Sequence, residues 1–156
     1  MFNIIETSMT KLWKKSEQES NPAIEKYTVG QDYVFDALLM PFDLQASRAH
    51  TKGLQRIGIL NGEELKKIIK ALDSLEKEFM EEKIKITVAD EDCHTVIENY
   101  LVEKLGDVGK KIHTGRSRND QVLVAIRLYM KNHLAQLSQK CVELAAAFLD
   151  FAEKSQ

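Results

Sequence analysis

Apolar residues recur every three or four positions along most of the chain, which is the spacing of one face of an α-helix. The first such pattern runs from Phe42 to Gly58, and a glycine commonly follows the last turn of a helix. Pro41 then lies near the start of this helix, where a proline does least harm. The pattern consists of Phe42, Ala46, Ala49, Gly53, Leu54 and Ile57. With two prolines, seven glycines and no alternating runs between hairpin turns, the chain is predicted to be all-α.

Two further helices are predicted from their capping residues. Asn61 is suited to cap the second helix, because Glu63 and Glu64 follow it in the positive first turn. Asp90 is predicted to cap the third helix, and Gly106 to end it. The apolar face of the second helix is Leu65, Ile68, Ile69, Leu72, Leu75 and Phe79, and that of the third is Val96, Ile97, Tyr100, Leu101 and Leu105.

The fourth helix is predicted to be much longer than the others. Nothing interrupts residues 118–153, and ~36 residues at ~1.5 Å per residue reach about 54 Å. Its apolar side chains cover more than one face, which is typical of a helix buried on several sides. We therefore predict that it enters a helical bundle, in an oligomer or in a larger protein. Residues 1–30 carry few periodic signals and are predicted to form an extended, partly disordered arm.

Composition excludes several classes of protein. The 156 residues are 44% hydrophobic and 29% charged, as in ordinary globular proteins. The formal net charge of −2 argues against a whole-surface attraction to nucleic acid or to anionic lipid. No apolar run is long enough to cross a membrane, and the start lacks the features of a secretory signal, so a cytoplasmic protein is expected. Cys93 and Cys141 have no partners at metal-ligand spacing and are predicted to be buried free thiols, with no metal bound.

A polar segment, HTGRSRND, directly precedes the long helix at residues 113–120. Ser117 followed three residues later by Asp120 resembles a capping box, so we expect the helix to begin within this segment. The unpaired N–H groups and partial positive charge of a helix N-terminus favour anions.

The other side chains of the segment are also suited to an anion. Arg116 and Arg118 carry forked donors that match a carboxylate, and Asn119 can donate and accept hydrogen bonds. Thr114 offers a hydroxyl, and Gly115 allows a ligand to approach the backbone. The alternative is that Ser117 and Asp120 only cap the helix while the arginines pair with nearby acids. The chemistry of the segment alone leaves both interpretations open.

His94 lies at the start of the third helix, with Glu98 one turn later. This pair can orient an imidazole for acid–base chemistry, or can be a weak surface pair. No third ligand lies at metal-binding spacing. His50, His113 and His133 receive no role from their spacing.

Several segments together resemble a known family. HTGRSRNDQV, EDCHTVIE before it, KLW near the start and DLQASRAHTKGLQRIGIL are similar to the amino-terminal part of the argininosuccinate lyases, in the fumarase/aspartase superfamily. The resemblance covers nearly all of the chain from Lys11 onward. It implies that residues 31–116 form an amino-terminal helical domain and that residues 117–156 form the first long helix of a central helical bundle.

The resemblance also implies an activity. Enzymes of this family cleave argininosuccinate reversibly to arginine and fumarate by β-elimination, without a cofactor. The asparagine of the motif contacts substrate in the family, so Asn119 is the first candidate binding residue. Thr114, Ser117, Arg116 and Arg118 follow, because fixed donors and cations stabilise the negative charge that builds on the succinyl carboxylate.

The chain departs from the family pattern at two places. Asp32 stands where the family often has a serine that contacts substrate, and a carboxylate there is suited to a guanidinium rather than to another carboxylate. A Thr-His region and a mobile loop with the catalytic base do not occur in these residues. Both are expected downstream, so no catalytic residue is assigned to this chain, and the isolated chain is expected to be inactive. His94 and Asp32 are weaker candidates for substrate binding.

The resemblance implies a homotetramer in which three subunits build each active site. A non-catalytic helical interaction protein that kept this fold is the alternative. A nucleic-acid-binding module is disfavoured, because Lys110, Lys111, Arg116 and Arg118 lie in a polar loop with no aromatic residues between them.

Overall fold

A computed structural model describes residues 32–87, 90 and 92–155. These residues form five α-helices and one 3₁₀ turn, and contain no strand, as predicted for an all-α fold. The predicted arm at residues 1–30 lies outside the described residues. The elements are α1 (Asp32–Arg56), α2 (Gly62–Met80), α3 (Cys93–Leu105), α4 (Asp107–Lys110), the 3₁₀ turn (Lys111–His113) and α5 (Arg118–Lys154).

Helix α1 begins about ten residues earlier than the sequence pattern predicted. It starts at Asp32 rather than near Phe42, so Pro41 lies inside the helix. A proline in a helix interior costs roughly 3 kcal/mol, because a hydrogen bond is lost and the ring crowds the preceding turn. Met40 and Leu44 on either side are completely buried, and their burial offsets this cost.

Helix α2 begins at the predicted cap. The side-chain oxygen of Asn61 accepts hydrogen bonds from the backbone N–H groups of Glu63 and Glu64, both at 2.9 Å. The Glu64 carboxylate accepts one in return from the backbone N–H of Asn61 at 3.0 Å. Asn61 is therefore the N-cap, as predicted, and Glu64 completes a capping box with it.

Helix α3 is capped two residues later than predicted. Asp92, not Asp90, is the N-cap, and its carboxylate accepts a hydrogen bond from the backbone N–H of Thr95 at 2.7 Å. Asp90 instead accepts from the backbone N–H of Thr87 at 2.8 Å. Several acidic residues in a row can each fill the cap, so sequence alone did not choose between them. Gly106 ends the helix as predicted.

Helices α1, α2 and α3 enclose the hydrophobic core. Its completely buried members include Met40, Leu44, Ile68, Leu72, Leu75 and Leu101. Ile112, in the 3₁₀ turn, is 1% exposed and joins this core. The segment that follows it is thereby held close to the helical domain.

Helix α5 contacts the domain through its first turns only. Gln121 and Ala125 are buried, and the ring of Phe42 packs edge-on against that of Tyr129, with 5.6 Å between centroids. Every side chain from residue 131 to residue 155 is exposed. Cys141 is therefore exposed and the prediction of a buried thiol was wrong there, whereas Cys93 is buried as predicted. Among the described residues, no helix is long and apolar enough to span a membrane.

Candidate functional site

The segment HTGRSRND joins the 3₁₀ turn to α5 and contains the N-cap of that helix. Ser117 Oγ accepts a hydrogen bond from the backbone N–H of Asp120 at 3.3 Å. The Asp120 carboxylate accepts from the backbone N–H of Ser117 at 2.8 Å, and this bond lowers the pKa of Asp120. The predicted capping box is confirmed, and α5 begins at Arg118. Ser117 Oγ also donates to Asp120 at 2.9 Å, so its hydroxyl is occupied by the cap.

The loop before the cap is held against α1. His50 Nε2 lies 3.0 Å from the carbonyl oxygen of Thr114, so the imidazole donates to this carbonyl. Burial, reinforced by the charge of Arg116, lowers the pKa of His50 and favours the neutral ring. Gly115 has a φ of +73°, a conformation that glycine adopts readily, and beyond its two chain neighbours no atom lies within 4 Å of the position that a Cβ would take. The turn is therefore fixed, yet its backbone is accessible to a ligand.

Arg116 points into the domain. Its Nη1 donates to Ser47 Oγ at 3.2 Å, and Ser47 Oγ donates to Asp43 Oδ1 at 3.3 Å. Burial lowers the pKa of Arg116, while the negative charges of Asp43 and Glu98 oppose that effect. The guanidinium is thus held in place by a buried carboxylate through one intervening hydroxyl.

Arg118 is attached to the start of α3. Its Nη2 donates to Thr95 Oγ1 at 2.7 Å, and its Nη1 lies 3.2 Å from Asp92 Oδ2. Both arginines of the segment therefore have partners within the chain, which is the result that the pure capping interpretation predicts.

Asn119 differs from both arginines. Its side chain is exposed, and within the part of the chain that the structure describes it has no hydrogen-bond partner. Thr114 is exposed as well. An exposed amide in the first turn of a 37-residue helix, with no hydrogen-bond partner among the described residues, is the result that the anion-binding interpretation predicts. Binding roles for Thr114, Arg116, Ser117, Arg118 and Asn119 stay predictions.

His94 does not pair with Glu98, contrary to one interpretation of the sequence. It is 4% exposed, and its Nδ1 lies 2.5 Å from Oδ2 of the completely buried Asp43. Burial alone would lower the pKa of His94, but the hydrogen bond and the charge of Asp43 outweigh it and raise the pKa. Glu98 lies 3.9 Å from His113 Nδ1 instead. The side chain of His94 faces α1 rather than solvent, and its role in substrate binding stays a prediction.

Comparison with known proteins identifies the family. A family model described as "Lyase" matches residues 11–156. The chain belongs to this lyase family. Its helical fold is that of the fumarase/aspartase superfamily, as the resemblance implied.

Similar curated proteins within the lyase family are named argininosuccinate lyase. The protein of Thermotoga neapolitana is 49% identical over 144 residues, which cover 92% of this chain and 36% of that protein. The protein of Xanthomonas euvesicatoria pv. vesicatoria is 42% identical over 142 residues, which cover 91% of this chain and 33% of that protein. The match to the protein of Stenotrophomonas maltophilia has the same identity and coverage. The chain thus spans about a third of the length of these lyases.

Sequence reasoning missed three residues that support the site. Asp43 and Ser47 form the buried link to Arg116, and His50 holds the loop. One signal could have found the first two: Asp43 and Ser47 lie on the same helical face as Met40 and Leu44, where a polar side chain must find a partner. Asp32 is the first residue of α1, but its side chain is not among those described, so its predicted role is untested.

Proposed function

We propose that this chain is the amino-terminal part of a cytoplasmic argininosuccinate lyase, which cleaves argininosuccinate to arginine and fumarate. The observation that carries the proposal is the amide of Asn119 at the N-terminus of α5, which is exposed and has no hydrogen-bond partner in the described part of the chain, whereas both arginines of the same segment are held by internal partners. The likeness of the chain to proteins named argininosuccinate lyase supports the choice of substrate.

The arrangement suits the demands of this β-elimination. Removal of a proton beside the succinyl carboxylate places extra negative charge on that carboxylate before the guanidinium leaves. Donors that are already in position stabilise this charge without reorganising during the reaction. Asn119 and Thr114 are exposed and would contact the carboxylate, whereas Arg116 and Arg118 act as fixed positive charges behind them. The acid and the base are provided by residues outside this chain, and no cofactor is needed.

Titration with succinate tests the binding role of Asn119. We expect the side-chain amide resonance of Asn119 to shift with added succinate in a two-dimensional NMR spectrum. The binding should be weak, because the other residues of the site are expected outside this chain. The Asn119→Ala variant should lose the remaining shifts around residues 114–119. Asn132→Ala removes an exposed amide farther along the same helix and should leave them unchanged. Shifts that are absent, or that survive Asn119→Ala, would refute the binding role.

The proposal extends to assembly. Residues 31–116 would form the amino-terminal domain, and residues 117–156 the first helix of a central bundle in a homotetramer. Large apolar side chains of α5 are separated by steps of four, three, seven, four and three residues, which keeps them on one face of the helix, as in a helix packed against other helices. They are Met130, Leu134, Leu137, Leu144, Phe148 and Phe151, each more than half exposed. Burial is worth roughly 1.5–3 kcal/mol for each such side chain, so an isolated α5 is unfavourable in water.

Sedimentation velocity tests this surface. We expect the chain to form dimers or larger oligomers at tens of micromolar, and the double variant Leu137→Lys with Leu144→Lys to sediment as a monomer. The pair Gln136→Lys with Ser138→Lys adds the same charge beside the apolar stripe and should leave association intact. A parent chain that stays monomeric would contradict the proposed bundle.

A further inference from the structure

A buried cluster of three potential metal ligands lies between α1 and the start of α3. Asp43, Cys93 and His94 each present one ligand atom, and these atoms lie within 4.8 Å of one another. Cys93 Sγ lies 3.9 Å from Asp43 Oδ2 and 3.8 Å from His94 Nδ1. Asp43 and Cys93 are completely buried, and His94 is 4% exposed.

We propose that Asp43, Cys93 and His94 form a binding site for Zn²⁺ or a similar transition-metal ion, distinct from the carboxylate site at Asn119. Thiolate sulfur, imidazole nitrogen and carboxylate oxygen are the three ligand types that zinc takes in proteins. With zinc–ligand bonds of about 2.0–2.3 Å, tetrahedral ligand atoms lie roughly 3.3–3.8 Å apart. The two distances from the sulfur are already close to this range, so binding requires mainly that His94 Nδ1 and Asp43 Oδ2 move apart.

The three ligand types match the charge of a divalent ion. One carboxylate and one thiolate bring two negative charges, and a neutral imidazole adds none, so a divalent ion bound by these three groups forms a neutral centre. Binding releases the thiol proton to solvent, together with any proton carried by the imidazole.

The residues around the cluster favour a structural metal site. The carboxylate of Asp36 accepts a hydrogen bond from the backbone N–H of Cys93 at 3.2 Å, so it is a candidate for a fourth ligand. A closed set of four protein ligands is typical of structural zinc. The ion would connect α1 to α3, and Asp43 would keep its second oxygen for Ser47. Local spacing in the sequence did not indicate this site, because Asp43 lies fifty residues from Cys93 along the chain.

Cobalt spectroscopy on a single-cysteine variant tests the proposal. The chain has two cysteines, and Cys141 is exposed on α5, so Cys141→Ser leaves Cys93 as the only thiol. We expect this variant to give the near-ultraviolet charge-transfer band of a cobalt–thiolate bond when Co²⁺ is added, and excess Zn²⁺ to remove the band. Cys93→Ser in the parent chain should abolish the band, and Asp43→Asn should weaken binding.

X-ray absorption of the zinc-loaded Cys141→Ser variant gives an answer that does not depend on how the ligand variants fold. One sulfur and two or three nitrogen or oxygen neighbours around zinc are expected. A Cys141→Ser variant with no cobalt–thiolate band, or a zinc spectrum with nitrogen and oxygen neighbours only, would overturn the proposal.

Discussion

Replacing Gly109 with alanine is expected to destabilise the domain by roughly 3 kcal/mol, at the upper end of the range for overpacking substitutions. Gly109 is buried in α4, where this short helix lies directly on the backbone of α3. An added Cβ would lie 2.5 Å from the carbonyl carbon of Leu101 and 2.8 Å from the backbone nitrogen of Val102. These atoms belong to a hydrogen-bonded helix and cannot move aside alone. Helix α4 would have to move away from α3, and this movement would pull Ile112 out of the core.

The matched control is Gly53→Ala in α1. Apart from the adjacent backbone of α1 itself, no atom lies within 4 Å of the position that its Cβ would take, so alanine should stabilise the helix by about 0.5–1 kcal/mol. Urea unfolding followed by circular dichroism gives both free energies. A Gly109→Ala variant within about 0.5 kcal/mol of the parent would show that the contact between α4 and α3 is not as tight as the structure has it.

Local signals in the sequence predicted most of the helices. Asn61 and Ser117 both cap their helices as predicted, because a cap depends on residues only two or three positions apart. The predicted start of α1, near Phe42, was wrong. Prolines are usual in the first turn of a helix, but Pro41 lies inside this one. Burial of Met40 offsets the cost of an interior proline, and that burial depends on helices distant in sequence.

The interior of the site depended on distant contacts and was not predictable from local patterns. His94 has Glu98 one turn away, yet it bonds Asp43, 51 positions earlier, because the N-terminal end of α3 faces α1. The same packing gives Arg116 its link to Ser47. Asn119 lies in the first turn of a helix whose cap was predicted from residues only three positions apart, and its side chain is exposed.

The central claim is that this chain contributes Asn119, as a substrate-binding residue, to the active site of an argininosuccinate lyase. A chimera tests it directly: the chain replaces the matching part of the Thermotoga neapolitana relative, which shares 49% of the aligned residues. The relative provides the remaining two-thirds of the protein, including the regions expected to hold the acid and the base. Release of fumarate from argininosuccinate is then measured for the chimera, for its variants and for the isolated chain.

We expect the chimera to release fumarate and the isolated chain to release none. Asn119→Ala in the chimera should lower kcat by about 10²-fold or more, which is the usual effect of removing one donor that stabilises charge in the transition state. Asn132→Ala should leave the rate unchanged. A chimera that assembles as the relative does but releases no fumarate, or one in which Asn119→Ala is as active as its parent, would contradict the claim.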